Sequence, residues 1–195
     1  MRPAPVPPFA RLLTGLAVLA LAAPAGAERA DRSKPMEIVS DGQQSATVDL
    51  KSRVTVISGN VVITQGTLQI KADRVEVRED TPGRFHATAI GAAGRPATFR
   101  QKRDRVDEYV EAEAARVEYD GAAERVRFVG DAQLRVLRAS GPPDEASAAV
   151  ISYEQRSDTI TFEGGAPATP GAAPGRARLV FIPRSADAAA SEPAR

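Results

Sequence analysis

Three short passages of this chain share one spacing. Val48-Asp49, Tyr119-Asp120 and Tyr153-Glu154 each join an apolar residue to an acid, and eleven residues after the apolar one stands a glycine: Gly59, Gly130 and Gly164. Apolar, strand-like runs fill the interval. A unit that returns in this way marks a supersecondary element stacked on copies of itself. A unit of about 30 residues cannot bury an apolar face alone, whereas stacked units create a long, continuous apolar surface. The repeat is imperfect. Its last two copies lie 34 residues apart, but Val77 to Gly91 stretches the step to fourteen. That irregularity fits stacked layers of one domain better than a regular solenoid.

Strand signals dominate the runs between these marks. Residues 54–70 are loaded with β-branched side chains and broken at Gly59-Asn60 and Gln65-Gly66, which predicts short strands separated by tight turns or kinks. Arg74-Val75-Glu76-Val77 alternates strictly, the pattern of a strand with one dry and one wet face. Residues 107–119 carry helix-favouring Ala and Glu. Yet Ala114-Ala115-Arg116-Val117-Glu118-Tyr119 overlays Ala72-Asp73-Arg74-Val75-Glu76-Val77 position for position, so a strand is expected there too. Further strands are expected over 97–99, 125–137, 151–153, 159–162 and 177–182. The sum is a dozen or more strands of about four to six residues, with turn signals every eight to twelve residues. No room is left for crossover helices, so the strands are antiparallel neighbours.

At the amino terminus, Arg2 and Arg11 precede the apolar run Leu12–Ala23, followed by Ala25-Gly26-Ala27. This reads as a secretory signal peptide (residues 1–27) cleaved after Ala27. Its core is shorter than the roughly 20 residues a membrane span needs. Left uncleaved, it would instead anchor the protein. The expected mature chain, from Glu28, carries 24 basic and 25 acidic residues. That near-neutral balance argues against a nucleic-acid partner. There is no cysteine, hence no disulfide framework. The single histidine, His86, cannot build a multi-histidine metal site. No Gly-x-Ser-x-Gly elbow or P-loop lysine is present. An enzyme is not expected, and no cofactor.

The run Gly59 to Asp73 resembles the signature of the OstA-like (LptA) family of periplasmic lipopolysaccharide-transport proteins. Pro35-Met36-Glu37-Ile38-Val39-Ser40-Asp41 is similar to that family's opening strand and Ser-Asp turn. Gly94-Arg95-Pro96-Ala97-Thr98-Phe99 and Val129-Gly130-Asp131-Ala132 match two further segments in order and spacing. The likeness extends over about residues 34–183, one domain spanning 28–183 followed by a tail (184–195) expected to be disordered. The Pro/Ala-rich stretch 164–175 departs from the family pattern.

The resemblance implies a twisted, half-open antiparallel β-jellyroll. It also implies a periplasmic carrier that moves lipopolysaccharide from the inner to the outer membrane, with acyl chains in the groove. The partners it implies are lipopolysaccharide, inner- and outer-membrane transport proteins of the same fold, and other copies of the chain joined head to tail. From alternation alone, the apolar faces fit either a closed core or an open groove. The resemblance favours the groove, lined by Met36, Ile38, Val56, Ile63, Ile70, Val75, Phe99, Tyr119, Phe128 and Phe162. Each buried acyl methylene would contribute about 0.8 kcal/mol. Arg74, Arg95, Arg116 and Arg127 would either meet phosphates at the groove mouth or serve as solvated edge charges.

Overall fold

The computed structural model describes residues 34–104, 106–164 and 176–181. The expected signal peptide, most of the 164–175 stretch and the 184–195 tail lie outside them. The described chain is all β: β1 Glu37–Val39, β2 Ala46–Asp49, β3 Val54–Gln65, β4 Leu68–Thr81, β5 Arg84–Ile90, β6 Ala97–Lys102, β7 Tyr109–Ala114, β8 Arg116–Asp120, β9 Arg125–Leu137, β10 Asp144–Glu154, β11 Thr159–Glu163 and β12 Arg178–Val180. All recorded pairings are antiparallel and join one sheet.

Four strands are far longer than their sequence suggests: β3, β4, β9 and β10 run for 12, 14, 13 and 11 residues. Each changes neighbours half-way. β4 pairs with β6 through 69–71 and with β5 through 74–81. β9 pairs with β8 through 125–129 and with β7 through 133–137. β3 and β10 divide in the same way between β2 and β1, and between β11 and β12. The sheet therefore folds along a line into two leaves. The first leaf holds β2, β5, β8, β11 and one half of each long strand; the second holds β1, β6, β7, β12 and the other halves.

The fold line is written in the backbone. Register shifts by one residue between Ser58 and Val61 in β3 and between Ala148 and Val150 in β10. Gly59-Asn60 (φ 90° and 45°) and Gly130-Asp131 (φ 87° and 48°) take the left-handed region as matched pairs. Glycine and Asn/Asp tolerate that region best. A bulge of this kind bends a strand without ending it. The Gly-Asn and Gly-Asp kinks expected from sequence are thus bends inside continuous strands, whereas Gln65-Gly66 is a true hairpin turn. Between β7 and β8 the chain crosses the line at Ala115, whose N–H donates to Gly130 O and whose O accepts from Gly91 N, both at 3.0 Å. Residues 109–120 are strand on either side of that point, as their overlay on 72–77 predicts.

The eleven-residue step now has a physical meaning. In all three copies the residue five places after the apolar one has positive φ: Arg53, Glu124 and Asp158 at 55°, 57° and 53°. Each copy is a hairpin turn followed by a strand that climbs to the fold line. Asp49 Oδ1 accepts the N–H groups of Lys51 and Ser52 at 2.9 and 3.1 Å, and Asp120 Oδ1 those of Ala122 and Ala123 at 2.9 and 2.8 Å. A short acid at this position caps the turn. Those bonds to Ser52 and Lys51 also hold the Asp49 carboxyl below its ordinary pKa. Glu154, one methylene longer, instead reaches across to Arg125.

Candidate functional site: the apolar interior

The inner faces of the two leaves meet in one apolar cluster. Register links its second-leaf side into a single cross-strand row, Ile38-Ile63-Ile70-Phe99-Ala112-Leu134-Ala146-Leu179. A first-leaf row runs Ala46-Ile57-Val75-Ala89-Val117-Phe128-Ile151-Phe162. The leaves touch where Phe99 and Phe128 form an edge-to-face pair with centroids 5.2 Å apart. Small residues (Ala87, Ala89, Ala97, Ala112, Ala114) alternate with these large ones in the buried cluster.

Nine of the ten groove residues named from sequence come together here. Ile63, Ile70, Val75, Phe99, Tyr119 and Phe128 are buried, with Met36, Ile38 and Phe162 half-buried against them. Val56 does not join them. It sits in register between Thr47 and Glu76, on the outward face. The inward residue is its neighbour Ile57, which pairs with Val75. The four-residue run Val54-Thr55-Val56-Ile57 is β-branched throughout, so it carries no period-two contrast, and a slip of one position reverses the face. The parity of Ile57 with Val61 and Ile63 was the available signal.

Burial is uneven along the rows. Their middles are sealed: Val117, Phe128 and Ile151 are 0 % exposed. Their ends are not. Val48 pairs with Thr55, which pairs with the buried Val77, so it lies on the inner face; yet it is 61 % exposed. At the far end Leu179 is 41 % exposed, and Ile160 and Phe162 are half-buried. Among the described residues, the edge strands leave the apolar rows exposed at both ends.

Along the side opposite the fold line, the tips of the two leaves form a mouth. Its carboxy-terminal half holds a polar cluster absent from the sequence reading. Gln155, in the β10–β11 turn, donates through Nε2 to Oε1 of Gln101 at 2.5 Å. Both are buried. Arg103 grips the Asp158 carboxylate with Nε (3.2 Å to Oδ1) and Nη2, and Tyr153 Oη donates to the same Oδ1 at 3.0 Å. Glu108 pairs with Arg103 from the side. Gln101 continues the inward alternation Ala97-Phe99-Gln101, so a polar residue at an inward position was the visible clue. Its partner, 54 residues away, was not visible.

This pairing sets a pH dependence. Burial alone would raise the Asp158 pKa, but the hydrogen bonds from Arg103 and Tyr153 outweigh it and hold the carboxyl below its ordinary range. The same bond to Asp158, opposed by partial burial, raises the Arg103 pKa further. A carboxyl depressed in the folded state contributes stability above its unfolded pKa of about 4, and that contribution is lost as pH falls through the folded value. The difference in melting temperature between wild type and Asp158→Asn should therefore stay constant from neutral pH down to about 5. It should then shrink with further acidification; a difference that persists undiminished through acid would contradict the pairing.

Outward-facing groups are paired among themselves. Arg95 meets Asp73 at 2.9 Å, Arg116 and Arg127 meet Glu118 at 2.8 and 2.9 Å, and Arg74 approaches Ser58 Oγ at 3.5 Å. These four arginines lie on the outer face or near the fold line, away from the mouth, and none is on an edge strand. His86 sits outside the first leaf between Asp80 and Asp120, at 2.9 and 3.7 Å.

Comparison with known proteins bears on this architecture. The family model described as LptA/(LptD N-terminal domain) LPS transport protein matches residues 37–159. The lipopolysaccharide export system protein LptA of Escherichia coli K12 is 32 % identical over 153 residues, 78 % of this chain and 79 % of that protein. The Haemophilus influenzae LptA is 30 % identical over 134 residues, covering 69 % of this chain and 73 % of its own length. The crystal structure of LptH, the LptA-homologous periplasmic component of the Pseudomonas aeruginosa lipopolysaccharide transport device, superposes with a TM-score of 0.63 at 24 % identity. It covers 78 % of this chain and 99 % of LptH, which fixes the fold as the β-jellyroll. With a folded sheet of that kind around an open-ended apolar interior, and a family match across the strands that build it, this chain belongs to the LptA/LptD amino-terminal-domain family of lipopolysaccharide-transport proteins.

Proposed function

We propose that this protein is a periplasmic carrier of lipopolysaccharide, part of a bridge from the inner to the outer membrane, and that acyl chains travel along the apolar interior between the two leaves. The observation that carries the reading is the exposure gradient along the inner rows: sealed in the middle, uncovered at both ends. A protein that needed only a core would close its terminal strands with polar side chains. Apolar inner faces that run out to the edges are surfaces for a guest or for the next molecule. Head-to-tail joining of copies, or of related transport proteins, follows from the same edges, because β1/β2 and β11/β12 each present unpaired backbone groups for strand addition. Such contacts are heterologous and extend rather than close. Among the described residues no interior group is placed for covalent chemistry; binding rests on burial, about 0.8 kcal/mol per methylene.

Displacement of a fluorescent fatty probe by lipopolysaccharide tests the reading. Wild type should release the probe. Ile38→Glu and Phe162→Glu, both at half-buried end positions, should retain the fold by circular dichroism while probe affinity falls by about tenfold or more, as expected for a charge set against acyl chains. Undiminished affinity in both variants would remove the interior as the lipid path.

A further inference from the structure

The two halves of the mouth are built differently. At the amino-terminal end the inner face is exposed at the edge strand, with Val48 61 % exposed. At the carboxy-terminal half a tip of each leaf reaches the other. Gln101 and Arg103 belong to the second leaf, at the end of β6 and just beyond it; Gln155 and Asp158 belong to the first, in the turn after β10. Their bonds join segments 54 and 55 residues apart in sequence and cross the opening from leaf to leaf. The leaves are otherwise continuous only along the fold line. These bonds therefore add a polar contact across the rim to the apolar packing of the two leaves inside.

The contact is also made of groups suited to parting. Behind it lie the buried Val126 and Val110, while Tyr153 reaches the rim and donates its hydroxyl to Asp158. A closure meant only for stability would extend that apolar packing to the rim. Here the rim is two amides and an arginine–carboxylate fork instead. Gln101 and Gln155 are buried while paired, and once the tips part each group can bond to water instead.

We propose that Gln101–Gln155 and Arg103–Asp158 form a latch across the carboxy-terminal half of the mouth, which closes over the apolar interior and parts to admit acyl chains. The proposal rests on the carrier reading above. The latch makes entry to this half of the interior a conformational step. Lids of this kind set rates more than affinities.

The natural absence of cysteine makes the test clean. In the full mature chain, Gln101→Cys with Gln155→Cys is bridged by a short bis-maleimide whose spacer contains a cleavable disulfide. Uptake of purified lipopolysaccharide is followed through loss of a bound fluorescent fatty probe. The bridged protein should take up lipopolysaccharide at least about tenfold more slowly than the same variant capped singly with N-ethylmaleimide, the behaviour of a blocked lid. Cleaving the spacer should restore the rate. Asp158→Asn, unbridged, should be faster than wild type. Equal rates before and after cleavage overturn the latch while leaving the carrier intact. Absence of any displacement by unbridged wild type overturns the carrier reading itself, and the latch as a lipid gate falls with it.

Discussion

Truncating Phe128 to alanine is expected to lower the unfolding free energy by about 3–5 kcal/mol, the range for a fully buried phenylalanine. Its ring is 0 % exposed and is the point where the first leaf touches the second, edge-on to Phe99. Deleting it removes the transfer energy of the ring, leaves a cavity the rigid sheet cannot collapse, and forfeits about 0.5–1.5 kcal/mol of aromatic pairing. Chemical denaturation of wild type and variant, with the slope compared as well as the midpoint, gives the number. A double-mutant cycle with Phe99→Ala isolates the ring–ring share, which should be non-additive because the residues are in contact. A loss below about 1 kcal/mol, the level of an ordinary surface substitution, would mean that the leaves do not meet here in solution.

The second large effect is at Gly91, which lies where the chain passes from β5 of one leaf towards β6 of the other. A Cβ added there would stand 2.6 Å from Ala97 N and Arg95 O and 2.8 Å from Pro96 C. All three are backbone atoms, which cannot swing aside as a side chain can. Gly91→Ala is therefore expected to cost about 3 kcal/mol, the upper end of the overpacking range. The loss of Gly91 N–H to Ala115 O along the fold line adds to it if the strand shifts. Gly94 is the control three residues on. Its φ is +72°, but a Cβ there meets nothing within 4 Å, so Gly94→Ala should cost only about 1–2 kcal/mol of left-handed strain. Thermal or denaturant unfolding of the two variants side by side is decisive: equal costs would refute the crowding at Gly91.

Much of this architecture was legible in the sequence, and what was hidden has physical reasons. Strand identity and the inward faces of β4, β6, β8 and β9 follow largely from alternation, and Ile70, Val75, Phe99, Tyr119 and Phe128 are buried. Alternation also overrode helix propensity across 109–120, where the copy at 72–77 supplied the context that Ala and Glu alone do not. Strand length was hidden. A bend at Gly59 or Gly130 carries the same residues as a turn, and only the neighbouring strand decides whether hydrogen bonding resumes beyond it. At Asp73 and Ala115 even that mark is missing, since nothing local distinguishes a residue on the fold line from one within a leaf. Val56 was hidden because both faces of its strand are β-branched. The contacts across the mouth were hidden most completely: Arg103 and Asp158 are ordinary polar residues in ordinary loops until the sheet folds and brings them together.

The strand-to-strand stacking has one further consequence, for direction rather than distance. Neighbouring strands in a sheet rotate by about 20–25° with a fixed hand. Each inner row crosses eight strands, so seven such steps turn the row by roughly 140–175° between its ends. The mouth, which follows the leaf tips, turns with it. The two ends of the mouth therefore look out in directions roughly 140–175° apart, and the centres of its two halves differ by roughly half of that. A guest moving along the interior would not slide down a straight trough. It would advance as a nut does on a thread, its solvent-facing headgroup carried around the protein by about half a turn for each copy passed.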